Sequence, residues 1–221
     1  MEIYNSDGSK AEICGNATRS LAGYLYENQI EKNQTFSIFS NQIQLQVEII
    51  RNNLVKAQLP KPIFEIEKIP VENIFGLQMI IEESFEVEGF KSKLSTVSMG
   101  NPHAVFFVED LEKIDVEKVG YLVENHKMFP NKTNCEFAEI KSENEIKMYV
   151  WERGSGRTKA CGSGAAAVFA VAVKTNKISR SATVHMEGGD LFLECDENLE
   201  RIWQTGPYKI ICEGFYYYYY Y

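Results

Sequence analysis

The sequence predicts an α+β fold with two similar halves, and three observations lead to this prediction. Strand-like runs outnumber helical ones and show no regular strand–helix alternation. A turn that ends in Cys-Gly and enters a helical stretch occurs twice, at Cys14 and at Cys161, 147 residues apart. The segment 59–70 between the copies carries three prolines and resembles a crossing between domains. Because the spacing is too long for a solenoid repeat, we expect the duplication of a whole domain.

The first part of the chain predicts one helix followed by three strands. The helix begins after Cys14, and the strand-like runs are TFSIFS (35–40), IQLQVEI (43–49) and LVKAQL (54–59). These runs alternate or carry β-branched residues, and asparagine-containing turns separate them. They predict a meander of half-buried antiparallel strands.

The second part predicts more strands and two helices. One helix is expected over residues 111–126, and the other follows the second Cys-Gly turn, where AAAVFAVAV predicts core packing. Further strands are expected up to Ile211. The strand-like runs before the second Cys-Gly turn are STVSMG (95–100), HAVFFVED (103–110), CEFAEI (135–140) and IKMYVW (146–151).

Composition excludes several classes of protein. With 221 residues and 44% hydrophobic content, the chain can bury a sizeable core. The net charge is -8, and no basic run could follow a phosphate backbone, so nucleic acid is not an expected partner. No basic leader and no stretch of about 18 apolar residues is present, so a membrane is not expected either. We expect a soluble cytoplasmic protein.

The five cysteines predict reduced thiols. Their number is odd and no CxxC pair occurs, which argues against a disulfide framework and against a zinc site, so we expect no metal. Three of them lie in strand-like runs and are expected to be buried and structural, namely Cys135, Cys195 and Cys212. Cys14 and Cys161 remain as candidates for chemistry.

A Cys-Gly turn at a helix start is suited to acid–base chemistry on an anion. The first N–H groups of a helix lack internal partners and carry the positive end of the dipole, so they can bind a carboxylate. The same field favours a cysteine thiolate. Two such turns facing each other could remove a proton from one face of an α-carbon and return one to the other. The N–H groups concerned belong to Gly15, Asn16, Ala17, Gly162, Ser163 and Gly164.

Four ordered motifs resemble those of the diaminopimelate epimerase family: NSDGSKAEICGNATR, SMGNPHAVFFVED, FPNKTNCEFAEI and WERGSGRTKACGSGAAA. The resemblance extends over almost the whole chain. It implies two pseudo-symmetric domains of mixed or antiparallel strands around a central helix, with the active site between them. It also implies a homodimer that interconverts LL- and meso-diaminopimelate, a small amino-acid substrate, without a cofactor, supplying precursors of lysine and peptidoglycan.

The resemblance assigns roles to individual residues. Cys14 and Cys161 are implied to be the acid–base thiols, with His103 assisting the first and Glu152 the second. Backbone N–H groups at Gly15, Asn16, Gly162 and Ser163 are implied to hold the α-carboxylate. The distal end of the substrate is implied to be held by Asn5, Asn101, Asn134 and Arg153, of which the arginine offers a bidentate fork.

The resemblance also implies domain boundaries. The first half is expected over 1–60, completed by a strand that returns at about 206–215, and the second half over 61–205. The first half is expected to be incomplete and to expose apolar surface beside its helix, because family members begin with further residues. Residues 216–221, all tyrosine, are a tail to which we assign no function.

Alternatives remain open. A lone Cys-Gly turn is usually a turn with a buried thiol, His103 is also explained as a satisfied polar residue, and Asn101 and Asn134 as turn residues. Glu152 and Arg153 could form a solvated ion pair. For the whole chain, the alternatives are a truncated, inactive or weakly active remnant that only binds a ligand or partner, and a related amino-acid racemase of the proline racemase type.

Overall fold

The structure is a computed structural model that describes residues 1–4, 8, 14–40, 43–51, 53–212 and 214. The predicted substrate-binding residue Asn5 and the tyrosine tail 216–221 lie outside the described residues.

The described residues form three α-helices, twelve strands and two short 3₁₀ helices. The α-helices are α1 (Gly15–Glu27), α2 (Val116–Glu124) and α3 (Gly162–Lys174), and the 3₁₀ helices are Ile66–Lys68 and Leu111–Lys113. The strands are β1 (Thr35–Ser40), β2 (Ile43–Arg51), β3 (Leu54–Leu59), β4 (Glu83–Val87), β5 (Phe90–Ser98), β6 (Pro102–Phe107), β7 (Asn134–Ser142), β8 (Glu145–Glu152), β9 (Gly156–Thr158), β10 (Ser181–Met186), β11 (Gly189–Cys195) and β12 (Ile202–Pro207).

All twelve strands belong to one mixed sheet, so the fold class is α+β as predicted. Eleven strands follow the order β1-β2-β3-β12-β11-β10-β8-β7-β6-β5-β4, and β9 pairs with β8. Strands β1, β2 and β3 form the predicted antiparallel meander. Two neighbouring pairs are parallel, β6 with β7 and β8 with β10, because helical connections carry the chain back between them. The division into halves at residue 60 remains a prediction.

The bounds of strands such as β5 and β6 differ from the predicted runs by a few residues, and two larger differences concern a helix and the last strand. The helix expected over 111–126 is a 3₁₀ turn followed by α2, because the Asp115 side chain accepts a hydrogen bond from the N–H of Lys118 and starts a new helix there. The last strand ends at Pro207 rather than near Ile211, because proline has no N–H for the ladder. Cys212, expected to be buried, therefore lies beyond the sheet and is exposed.

Each helix covers its own part of the sheet. Helix α3 contacts β5, β6, β7, β10 and β11, which run from the middle of the strand order towards its β4 edge, and residues 164–172 are buried. A helix that is apolar all round is expected at such a central place. Helix α1 packs on β2, β3 and β12, and its Tyr24 is exposed, while α2 packs on β7 and β8. None of the described helices is long and apolar enough to cross a membrane.

Candidate active site

Both Cys-Gly turns begin a helix with the cysteine as the capping residue. Cys14 has an extended backbone, and its Sγ accepts a hydrogen bond from the N–H of Ala17 at 3.5 Å. Cys161 repeats this geometry at the start of α3, where its Sγ accepts from the N–H of Gly164 at 3.3 Å. Each sulfur therefore lies at the positive end of a helix dipole. The sequence prediction of two equivalent helix starts is confirmed.

Gln204 of β12 brings the two turns together. This side chain is completely buried, and its Nε2 donates to the carbonyl of Gly162 at 2.8 Å. Its Oε1 accepts a hydrogen bond from the guanidinium of Arg19 on α1. A Cβ atom at Gly15 would lie 2.8 Å from this Oε1, and one at Gly162 would lie 3.3 Å from it and 3.4 Å from Oδ1 of Asn16. Glycine at both turns thus permits the close approach of the two helix starts.

Arg19 adds a buried positive charge on the side of Cys14. Its Nη2 donates to Oδ1 of Asn16 at 2.6 Å, and only 4% of the residue is exposed. Burial lowers the pKa of Arg19 to about 10, while its attraction to Cys14 acts in the opposite direction. Within the described residues, its Nε has no hydrogen-bond partner.

Cys161 lies in a more acidic environment. The residue is 7% exposed, and its Sγ lies 3.5 Å from Oγ of Ser163. Burial raises the pKa of Cys161 strongly, and the carboxylates of Glu152 and Glu136 raise it further. These surroundings favour the neutral thiol over the thiolate. Glu152, predicted beside the second thiol, is close enough to act on it electrostatically.

His103 is completely buried and is held at both ring nitrogens. Its Nδ1 lies 2.7 Å from Oε1 of Glu136, and its Nε2 lies 2.9 Å from Oδ1 of Asn101. Among the described hydrogen bonds none joins His103 to Cys14, the thiol that it was predicted to assist.

Asn134 connects the strand ends around the site. Its Oδ1 accepts from the N–H of Arg153 at 3.0 Å, and its Nδ2 donates to the carbonyl of Pro102 at 2.9 Å. Glu152 accepts a hydrogen bond from Oγ1 of Thr158, and no ion pair with Arg153 occurs among the described residues. Arg153 is half-buried, and its guanidinium has no acidic partner in the described part of the chain, so it can receive a carboxylate.

The structure thus groups the predicted residues in two sets. Cys14, Gly15, Asn16 and Gly162 meet around Gln204 and Arg19. The second set is a series of contacts that runs from Asn101 through His103 and Glu136 to the start of α3, where Glu152 and Ser163 lie near Cys161. No group of three or more His, Cys, Asp or Glu side chains suited to a metal ion is found in the described ranges.

Three residues of these sets were missed by sequence reasoning. Arg19 lies within the motif around Cys14, and Glu136 lies in CEFAEI, where a charged residue inside a strand-like run was the available signal. Gln204 lies 42 residues beyond Gly162, and nothing in its neighbourhood of the sequence marks it.

Comparisons with known proteins show which proteins this chain is similar to. A family model described as "Diaminopimelate epimerase" matches residues 95–211. A diaminopimelate epimerase of Methanococcus maripaludis strain C5 is 40% identical over 218 residues, which cover 97% of this chain and 78% of the relative. A diaminopimelate epimerase of Acetivibrio thermocellus is 38% identical and covers 97% of this chain and 77% of the relative.

Solved structures resemble the fold at low sequence identity. A phenazine biosynthesis protein PhzF family member from Enterococcus faecalis has a TM-score of 0.67 at 14% identity and covers 98% of this chain and 77% of its own. A hydroxyproline epimerase from Agrobacterium vitis, with bound trans-4-OH-L-proline, also has a TM-score of 0.67, at 10% identity, covering 93% of this chain and 66% of its own. At these identities the likeness concerns the fold alone.

Proposed function

The chain belongs to the diaminopimelate epimerase family and is an amino-acid epimerase, and from this premise we propose that it interconverts LL- and meso-diaminopimelate by two cysteine bases without a cofactor. The observation that carries the proposal is the meeting of two cysteine-capped helix starts at one buried side chain, Gln204. The product would supply lysine and peptidoglycan synthesis. A homodimer and a cytoplasmic location belong to the same proposal and come from the family resemblance.

The helix starts would bind the α-carboxylate and the charge that develops beside it. As the α-proton leaves, negative charge spreads from the α-carbon into the carboxyl group. The N–H groups of Gly15 and Asn16 on one side, and of Gly162 and Ser163 on the other, are already fixed by their helices. They need no reorganisation when this charge appears, which is the usual source of electrostatic stabilisation in an enzyme.

The different environments of the two thiols suggest their resting states. Cys161 is surrounded by apolar atoms and by the carboxylates of Glu136 and Glu152, which favour the neutral thiol. Cys14 lies near the guanidinium of Arg19, which attracts a thiolate. In the resting enzyme Cys14 would be the base and Cys161 the acid. One turnover would exchange these states, since the first sulfur gains the α-proton and the second donates its own.

Arg153 favours a dicarboxylic substrate over a proline-type one. Its backbone is fixed by Asn134, and its guanidinium has no acidic partner among the described residues. A planar fork of this kind recognises a distal carboxylate, which proline lacks. The names of the relatives give no support to the alternative of an inactive remnant that only binds a ligand or a partner.

Exchange of the α-hydrogen with solvent tests the proposal. The purified chain in D₂O should incorporate deuterium at the α-carbon of LL-diaminopimelate and convert it to the meso form, as followed by NMR. Cys14→Ala and Cys161→Ala should each abolish epimerisation. Cys195→Ala is the matched control, because this half-buried cysteine lies at the end of β11, outside the two sets of site residues, and should keep the activity. A folded parent chain that exchanges no deuterium would overturn the proposed reaction.

A further inference from the structure

A completely buried carboxyl group, that of Glu136, lies between two predicted site residues. It is on β7, and its Oε2 has no hydrogen-bond partner among the described residues. A carboxylate in such a place is unfavourable unless a charged or polar partner compensates for the lost water. The partner of its other oxygen therefore indicates what the residue does.

That partner is His103 on the neighbouring strand. Strands β6 and β7 are parallel, and His103 lies opposite Asn134. Glu136 follows Asn134 by two residues and therefore lies on the same face of β7 as Asn134. Oε1 of Glu136 reaches Nδ1 of His103 at 2.7 Å, while Oδ1 of Asn101 lies 2.9 Å from Nε2. The ring cannot rotate without breaking both contacts. An ionised Glu136 requires a proton on Nδ1, which fixes that nitrogen as a donor.

The same carboxyl group also lies against the start of α3. A Cβ atom at Gly164 would be 2.8 Å from Oε1 of Glu136, so only glycine leaves room for it. The N–H of Gly164 donates to the Cys161 sulfur, which places Glu136 directly behind the helix turn that carries this thiol. Burial raises the pKa of Glu136, His103 opposes that change, and Glu152 adds to it.

We propose that Glu136 is a positioning residue of the epimerase site, which holds the His103 ring through Nδ1 and places a buried carboxyl group between His103 and the Cys161 turn. This inference rests on the proposed function. Glu136 acts through His103 and through the helix turn, and it has no route to the substrate because it is completely buried. Removal of the Glu136 carboxyl group should therefore change the rate of proton transfer and the pH dependence of the activity more than it changes substrate binding.

Glu136→Gln is the variant that tests this role, because it keeps the shape of the side chain and removes its charge. We expect kcat to fall about 10- to 100-fold, the size of effect known for the hydrogen-bonding partners of metal-binding histidines, with little change in KM. The pH profile of the activity should change too. In the variant, His103 still faces Asn101 and Cys161 still faces Glu152, but the titratable carboxyl group of Glu136 is gone from both. The matched control is Glu139→Gln on the same strand, where Glu139 pairs with the exposed Lys141 and lies outside the site.

The ring nitrogens of His103 give a readout that does not depend on activity. In ¹⁵N-histidine-labelled protein, the His103 signals are identified by their loss in His103→Gln. The parent should show a protonated Nδ1, and Glu136→Gln should shift the tautomer or the titration of the ring. Unchanged ring nitrogens together with an unchanged pH profile would refute the positioning role while leaving the epimerase proposal intact.

A second variant covers a failure of Glu136→Gln to fold. Gly164→Ala keeps the carboxylate but pushes it away from the helix turn, because the added methyl group would lie 2.8 Å from Oε1. It should also disturb the His103 signals, and an undisturbed ring would contradict the inference. If the parent chain shows no α-hydrogen exchange, the proposed function fails, and the NMR comparison still decides whether Glu136 controls the state of His103.

Discussion

Replacing Gln204 by leucine should separate the two Cys-Gly turns, because the amide of Gln204 is the group that joins them. Its Oε1 accepts from Arg19 of α1, and its Nε2 donates to Gly162 of α3 at 2.8 Å. Leucine has a similar size but no polar atom. The variant therefore leaves one charged donor and one carbonyl in the protein interior without these partners.

The size of the effect follows from these two groups. A buried polar group without its partner costs about 1–3 kcal/mol, and charged groups lie at or above the upper end. We assign about 3 kcal/mol to the Arg19 donor and about 1 kcal/mol to the Gly162 carbonyl, or about 4 kcal/mol of unfolding free energy in total. For a chain of this size, the melting temperature should fall by roughly 8–16 °C.

A double-mutant cycle separates this pairing from general damage. Arg19→Met removes the buried cation that Gln204→Leu leaves unpaired. The loss of unfolding free energy in the double variant should therefore be smaller, by at least about 2 kcal/mol, than the sum of the losses in the two single variants. The assay is equilibrium unfolding in urea, combined with kcat/KM for epimerisation, which should fall because both bases must keep their relative position. Gln44→Leu is the matched control, because its exposed side chain donates to Ser37 and to no other of the described residues, and it should change stability by less than about 0.5 kcal/mol.

Two results would refute the reasoning. Strictly additive losses would show that Arg19 and Gln204 do not interact, despite their contact. A Gln204→Leu variant with the stability and activity of the parent would show that the amide does not hold the turns together.

Three further predictions concern the thiols and one tight helix contact. Iodoacetamide at pH 8 should modify the half-buried Cys14 before Cys161, because a raised pKa reduces the thiolate fraction of Cys161. A higher pH should speed up the modification of Cys161. Peptide mass spectrometry in a Cys212→Ser background measures both rates, and faster labelling of Cys161 would contradict the prediction. Mild oxidation should link Cys14 to Cys161 and abolish activity until a reductant is added, whereas mass spectra that show only other pairings would count against facing thiols. Gly23→Ala should lower the free energy of unfolding by about 1–3 kcal/mol, because the added methyl would lie 2.2 Å from the Tyr208 ring, and an unchanged urea midpoint would disprove this contact.

Local features of the sequence were sufficient to predict several strands, the helix starts and the fold class. The strands over 35–40 and 54–59 have the bounds that their alternation predicts, because each strand's pattern lies within its own residues. The helix starts at Gly15 and Gly162 were equally predictable, since a cap depends on the two or three residues that follow it. The α+β class, the core packing of AAAVFAVAV over 165–173 and the candidate thiols all came from such short-range signals.

Only the tertiary structure revealed the polar contacts that organise the site. Arg19 and Gln204 are separated by 185 positions in the chain, and His103 and Glu136 by 33 positions. A buried polar residue carries no mark of its partner in the sequence, because the partner is determined by strand order and register rather than by neighbouring residues. The sequence alone indicated candidate residues for the chemistry, and the packing of β12 and β7 against the helix starts decided how they are held.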